Sequence, residues 1–136
     1  MFLLPFKKSE KTKVLSKTDY NDFGVFKINA AKDTPTYVKV YKYNREKNTI
    51  SKKPIATLFI RGGKSLTLYV PKGEFIIKYA TGKTWYGEEE MFGSSGSYAK
   101  ADKIFKISTQ DEGYEITLAQ VKDGNLSSVK QNKDKF

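Results

Sequence analysis

Apolar side chains recur at every second position in short runs, a turn signal follows each run, and no stretch holds a helical period long enough to compete. Thr36 to Tyr43 sets Val38 and Val40 on one parity and Tyr37, Tyr41 and Tyr43 on the other. Phe75 to Ala80 opposes Phe75, Ile77 and Tyr79 to Ile76, Lys78 and Ala80. In Tyr114 to Val121, Tyr114, Ile116 and Leu118 oppose Glu115, Thr117 and Ala119. Phe23 to Asn29 and Ile104 to Ile107 read as further strands, and Asn44 to Pro54 as a solvated loop.

The turns suggest how these strands connect. Arg61-Gly62-Gly63-Lys64 separates Ile55–Ile60 from Ser65–Val70, and a two-glycine link between apolar runs reads as a hairpin. Pro71-Lys72-Gly73 then combines a fixed φ with a residue tolerant of positive φ, so three antiparallel strands in succession are expected. Asp123-Gly124 predicts another hairpin, returning through Leu126 to Val129. The expected fold is all-β, a single antiparallel β-sandwich or open barrel of about six to eight short strands. It is assigned to residues 23–136, behind a basic polar leader over residues 1–22 with a docking point at Val14-Leu15.

Composition narrows the chemistry. The 136 residues include neither cysteine nor histidine, which removes disulfides, zinc-finger ligand sets, Cys nucleophiles and Ser-His-Asp triads. The formal charge is +10, and arginine occurs only at positions 45 and 61. A lysine surface favours loose attraction to anionic polymers over base-specific reading, which relies on the arginine fork. No stretch approaches the roughly 20 apolar residues of a membrane helix. Phe2-Leu3-Leu4-Pro5-Phe6 is too short for the core of a signal peptide and reads as the remnant of an anchor, a weak interfacial segment or a docked strand.

The densest candidate site is the loop over residues 81–103. It holds the sole tryptophan, Trp85, beside Tyr86, then Glu88, Glu89 and Glu90, Phe92, Tyr98, Lys100 and Asp102. Trp85, Tyr86, Phe92 and Tyr98 offer a stacking platform for a sugar, a peptide or an unpaired base. The competing reading makes Trp85 and Phe92 a lid over the core, leaving Tyr86 and Tyr98 as exposed contacts, and it is the preferred one. Glu88, Glu89, Glu90 and Asp102 have the oxygen ligands a hard cation takes, but the alternating acids of a calcium loop are missing. Solvated charge balancing Lys83, Lys100 and Lys103 is preferred, so no metal and no cofactor is expected. Adjacent loop carboxylates do not define a glycosidase pair, and the serines at 94, 95 and 97 with Lys100 lack the pocket a serine-lysine pair needs. Gly62-Gly63-Lys64-Ser65 echoes a phosphate loop, but a strand follows where a helix should start.

Several of these features recur together elsewhere. Arg61-Gly62-Gly63, Val70-Pro71-Lys72-Gly73, Tyr79-Ala80-Thr81-Gly82, Trp85-Tyr86-Gly87, Met91-Phe92-Gly93 and Tyr98-Ala99-Lys100-Ala101-Asp102 resemble the pattern of an uncharacterised domain family of bacteria and their phages. The likeness extends through Gly113–Leu118, Gly124-Asn125-Leu126 and Phe136, covering roughly residues 23–136. Where that pattern has a proline and a threonine after the phenylalanine-glycine step, this chain has Ser94-Ser95-Gly96-Ser97, which implies a looser loop. The resemblance implies an accessory module of envelope proteins or a stand-alone protein and carries over no catalytic residue. By fold analogy the turn-strand core is also similar to PEGA-like and transthyretin-like sandwiches. The expected function is therefore a non-enzymatic binding or assembly module of an envelope-associated bacterial or phage system, presenting the 81–103 loop to a protein or glycan partner. The alternative is a lysine-rich binder of nucleic acid or another anionic polymer; a metal-dependent hydrolase has the least support.

Overall fold

From Phe75 to its end, strand β7 (Gly73–Thr81) is buried on both faces, because one parity faces a second sheet and the other is roofed by a loop. The computed structural model describes residues 7–118 and 128–136. Around β7 they form an incompletely closed β-sandwich of two sheets, with no α-helix among the described residues. The large sheet runs β1 (Lys13–Lys17), β5 (Ala56–Ile60), β3 (Thr36–Asn44), β7, β8 (Ser97–Ala101), β11 (Ser128–Lys130). Two short strands extend it: β4 (Thr49–Ile50) pairs with β3, and β9 (Phe105–Ile107) pairs with the start of β7. The small sheet is ordered β10 (Gly113–Leu118), β2 (Gly24–Ala30), β6 (Ser65–Val70).

The parities read from sequence supply the core between the sheets. Val38, Val40, Phe75, Ile77 and Tyr79 face Phe26, Ile28, Leu68, Val70, Ile116 and Leu118. Phe26 meets Phe75 and Phe105 edge to face, with ring centroids 5.8 and 5.7 Å apart, the arrangement that aromatic quadrupoles favour.

Four connections differ from the sequence reading. The strands over residues 55–80 are consecutive but not mutually paired: β5 lies between β1 and β3, β6 crosses to pair with β2, and β7 returns to the large sheet. Every residue of β5 is buried, as a strand covered on both faces requires, while β6 alternates between more exposed and buried positions as a strand covered on one face does. A hairpin would force both into one sheet. Gly62 instead lets the crossing link touch the turn after β2: a Cβ there would lie 2.5 Å from the Thr34 amide nitrogen. Second, β10 runs parallel to β2, because the chain crosses between sheets after β9 and enters β10 from the same end as β2. Third, Ser128–Lys130 pairs with β8 rather than beside β10; Ala119–Val121, Asp123-Gly124 and Leu126 lie outside the described residues, as does Phe2–Phe6. Fourth, Asn44–Pro54 contains the β3–β4 hairpin, and the 81–103 loop contains β8.

Residues 7–22, within the polar leader, contribute an edge strand. Val14 packs on the inter-sheet core and Leu15 on the outer face of the large sheet. Lys13 and Lys17 bracket the strand, a charge placement that discourages further edge pairing. The leader also docks on Arg61, whose Nε donates to the Glu10 carbonyl at 2.7 Å and whose amide donates to Thr12 Oγ1 at 2.9 Å.

Candidate functional site

At the Thr81 end of β7 the chain folds back over the outer face of the large sheet. Tyr37, Phe59, Ala80 and Tyr98 form the row beneath, and Trp85, Met91, Phe92 and Phe136 lie on it as a second apolar cluster. The Trp85 ring is 5.0 Å from Tyr37, 4.8 Å from Phe59 and 5.1 Å from Phe92, centroid to centroid. Its exposure is 4%, so Trp85 is the roof of this cluster and not a platform. Its Nε1 has no hydrogen-bond partner among the described residues, a cost normally of about 1–3 kcal/mol. Phe92 is seated directly on Gly82, where any Cβ would come within 2.6 Å of the Phe92 Cβ.

The loop is closed by its own backbone. Tyr86 N–H donates to the Met91 carbonyl at 2.8 Å, and Met91 N–H donates to the Gly87 carbonyl. Lys8 N–H donates to the Trp85 carbonyl at 2.8 Å, tying the leader to the cap.

The sequence candidates are thus divided among different tasks. Tyr98, expected as an exposed contact, is buried because β8 places it in the aromatic row; its hydroxyl donates to the Gly93 carbonyl at 2.8 Å. Tyr86 is half-buried against Gly93. Glu88 accepts from the Tyr37 hydroxyl and from Thr57 Oγ1, both at 2.9 Å, and Glu90 pairs with Lys133 at 3.2 Å. Glu89 has no partner among the described residues. Asp102 follows the end of β8, and no three acidic side chains converge among the described residues.

Lys100 belongs to a feature that the sequence reading missed. Lys39 pairs with Lys78, and Lys78 with Lys100, so three lysines occupy one register row on three adjacent strands of the outer face. Burial holds both Lys39 and Lys78 below the ordinary lysine range, with the neighbouring ammonium groups adding to the depression. The separate parities of β3, β7 and β8 were legible, but only the register could align them.

Burial works in the opposite direction on the tyrosines. Tyr37 is raised by burial and then by its bond to Glu88, Tyr20 is pushed up to about 12 by burial and by Asp22, and burial raises Tyr41 and Tyr98. Above pH of about 10 the unfolded chain loses tyrosine protons that the folded chain keeps, so stability falls as pH rises further. The lysines act with the opposite sign: below about 10.5 the unfolded chain holds protons that folded Lys39 and Lys78 release, so stability rises toward that value. Stability is therefore expected to reach a maximum on the alkaline side. In a 295 nm titration, four of the nine tyrosines should ionise late in native protein and normally in denaturant. Nine coincident native titrations near pH 10 would contradict this packing.

A concavity of about 840 Å³ lies at the opposite end of the strands from the cap. The β3–β4 hairpin, the Pro71–Gly73 turn and β9 form its walls. Its cations are Lys42, Arg45, Lys47, Lys72 and Lys106; its carboxylates are Glu46 and Glu74. Arg45 engages Glu74 through Nε at 3.0 Å, and that bond holds the carboxyl below its usual range. The four lysines are all exposed and outnumber the remaining carboxylate. Sequence gave no local signal for this groove, since its lysines lie on three separate segments.

Comparison of the chain with family models, characterised proteins and solved structures returned no match.

Proposed function

We propose that the protein is a non-enzymatic binding module and that its partner is an anionic polymer held in the groove at the β3–β4 end of the sandwich. The observation that carries this reading is the convergence of Lys42, Lys47, Lys72 and Lys106 on this concavity, with Arg45 already neutralised by Glu74. Lysine supplies charge without the planar fork that reads bases, so binding is indifferent to sequence. The formal charge of +10 adds long-range attraction to this local field.

Salt dependence tests the reading. If four lysines each neutralise one phosphate of a DNA duplex, log K should fall against log salt with a slope of about −3.6. Lys72→Gln with Lys106→Gln should reduce that slope by about 1.8, and neither exposed change should disturb the fold. No binding at low salt, or binding insensitive to these substitutions, would reject the groove.

A second reading places a protein or glycan partner on the 81–103 loop, and a single feature favours it. Glu89 is exposed and Tyr86 half-buried on this loop, while Glu88 and Glu90 are already engaged. Under that reading Tyr86→Ala and Glu89→Gln abolish partner binding while the groove substitutions leave it intact.

A further inference from the structure

We infer that the polymer held in the groove is a single-stranded nucleic acid, and that one of its bases leaves the groove to stack on the Tyr43–Ile50 pair. The inference rests on the groove reading and names the class of polymer that the groove takes. A second concavity, of about 410 Å³, adjoins the first, and Tyr43 and Ile50 line both. Its volume falls within the range of about 300–1,000 Å³ typical of small-molecule sites.

Charge separates the two spaces. The groove holds four exposed lysines, whereas the second concavity sets one lysine, Lys100, against one carboxylate, Asp102. Phosphates are drawn to the first and gain little from the second. What the second offers is apolar surface, because Ile76 and Ile104 complete the walls that Tyr43 and Ile50 begin. Ile76 is buried, but Ile50 remains 37% exposed, so a large apolar side chain stands open to water beside a basic groove. A polymer with a charged backbone and flat apolar side groups matches both spaces at once. A duplex keeps its bases stacked on one another, and a sulfated glycan has no base to offer.

Tyr43 is a positioned ring. It lies directly across the hairpin from Ile50, which puts both side chains on one face. Its hydroxyl donates to Asn48 Oδ1 at 2.6 Å, and the Arg45 guanidinium carbon lies 6.0 Å from its centroid. Arg45 is itself held by Glu74. Asn48 has a φ of 51°, a left-handed conformation that asparagine accepts more readily than most residues, so the turn carrying the acceptor is well suited to its place. A side chain fixed before the ligand arrives loses little freedom on binding. Half-buried, Tyr43 keeps open surface for a base. Every base has a π-face, so this contact tolerates any sequence, in keeping with a lysine-lined groove.

The test measures the full chain with two probes of equal length, single-stranded oligothymidylate and an abasic strand with the same phosphates. Oligothymidylate should bind about 5- to 150-fold more tightly, the range that one stacked base gives. Tyr43→Ala and Ile50→Ser should erase that difference without changing the salt slope, which is about −2.8 for four phosphates of a single strand. Tyr43→Phe should keep most of it. Lys72→Gln with Lys106→Gln should instead weaken both probes alike and reduce the slope by about 1.4. Isoleucine methyl NMR needs no variant: the signals of Ile50, Ile76 and Ile104 should move with oligothymidylate and stay in place with the abasic strand. Equal affinities and unmoved methyls, with the lysine effect intact, would overturn the inference and leave the groove reading standing. Failure of both probes to bind at low salt would reject the two together.

Discussion

Trp85→Ala is expected to lower the melting temperature by roughly 10–20 °C, corresponding to about 3–5 kcal/mol for a large buried aromatic. The ring touches Tyr37, Phe59 and Phe92 at once, so its removal opens a cavity that three fixed rings cannot collapse to fill. Trp85→Phe should cost much less, because phenylalanine keeps much of the aromatic contact and removes an indole N–H without a partner among the described residues. Tyr86→Ala, at a half-buried position, should fall well below the alanine change at 85. Fluorescence reports the cap directly, since the protein has one tryptophan. Emission should be blue-shifted and resistant to soluble quenchers. A red-shifted, quenchable spectrum with unchanged melting would show that the ring is exposed.

Gly62→Ala should cost about 3 kcal/mol, at the upper end of what overpacking does, whereas Gly63→Ala should cost about 1 kcal/mol. The difference follows from what each new methyl would meet. At Gly62 it lies 2.5 Å from the Thr34 amide nitrogen and 2.9 Å from the Asp33 carbonyl carbon, all backbone, which can yield only by moving the link between the sheets. At Gly63 the nearest atom is 3.8 Å away, and the cost is that of a left-handed conformation, with φ at 77°. Two equal and modest losses would favour a simple hairpin. Denaturant unfolding of the two variants decides between them.

That pair of glycines also shows where sequence reading stops. The parities of Val38 and Val40, of Phe75, Ile77 and Tyr79, and of Ile116 and Leu118 all survive in the structure, because a period of two is a local property of each strand. Which strand lies beside which is not local. Gly62-Gly63 has hairpin composition, yet β5 needs two covered faces and β6 needs one, and that demand separates them into different sheets. The leader was missed as a strand because an edge strand of five residues carries little alternation of its own.

The candidate site divides along the same boundary. That Trp85 and Phe92 would roof the sheet could be read from their place beside a glycine-rich loop. The burial of Tyr98 could not, because it depends on β8 pairing with β7 within what looked like a single loop. The lysine row and the basic groove are assembled from distant segments, so only register and topology bring them together.

The claim that the groove is the working surface is tested most directly by mapping amide chemical shifts while a polyanion such as heparin is added at moderate salt. Saturable changes should cluster at Lys42, Lys47, Lys72, Gly73 and Lys106, leaving the amides of Trp85 to Phe92 at their free positions. Shifts centred on Tyr86 and Glu89, or none above those produced by salt alone, would contradict the account.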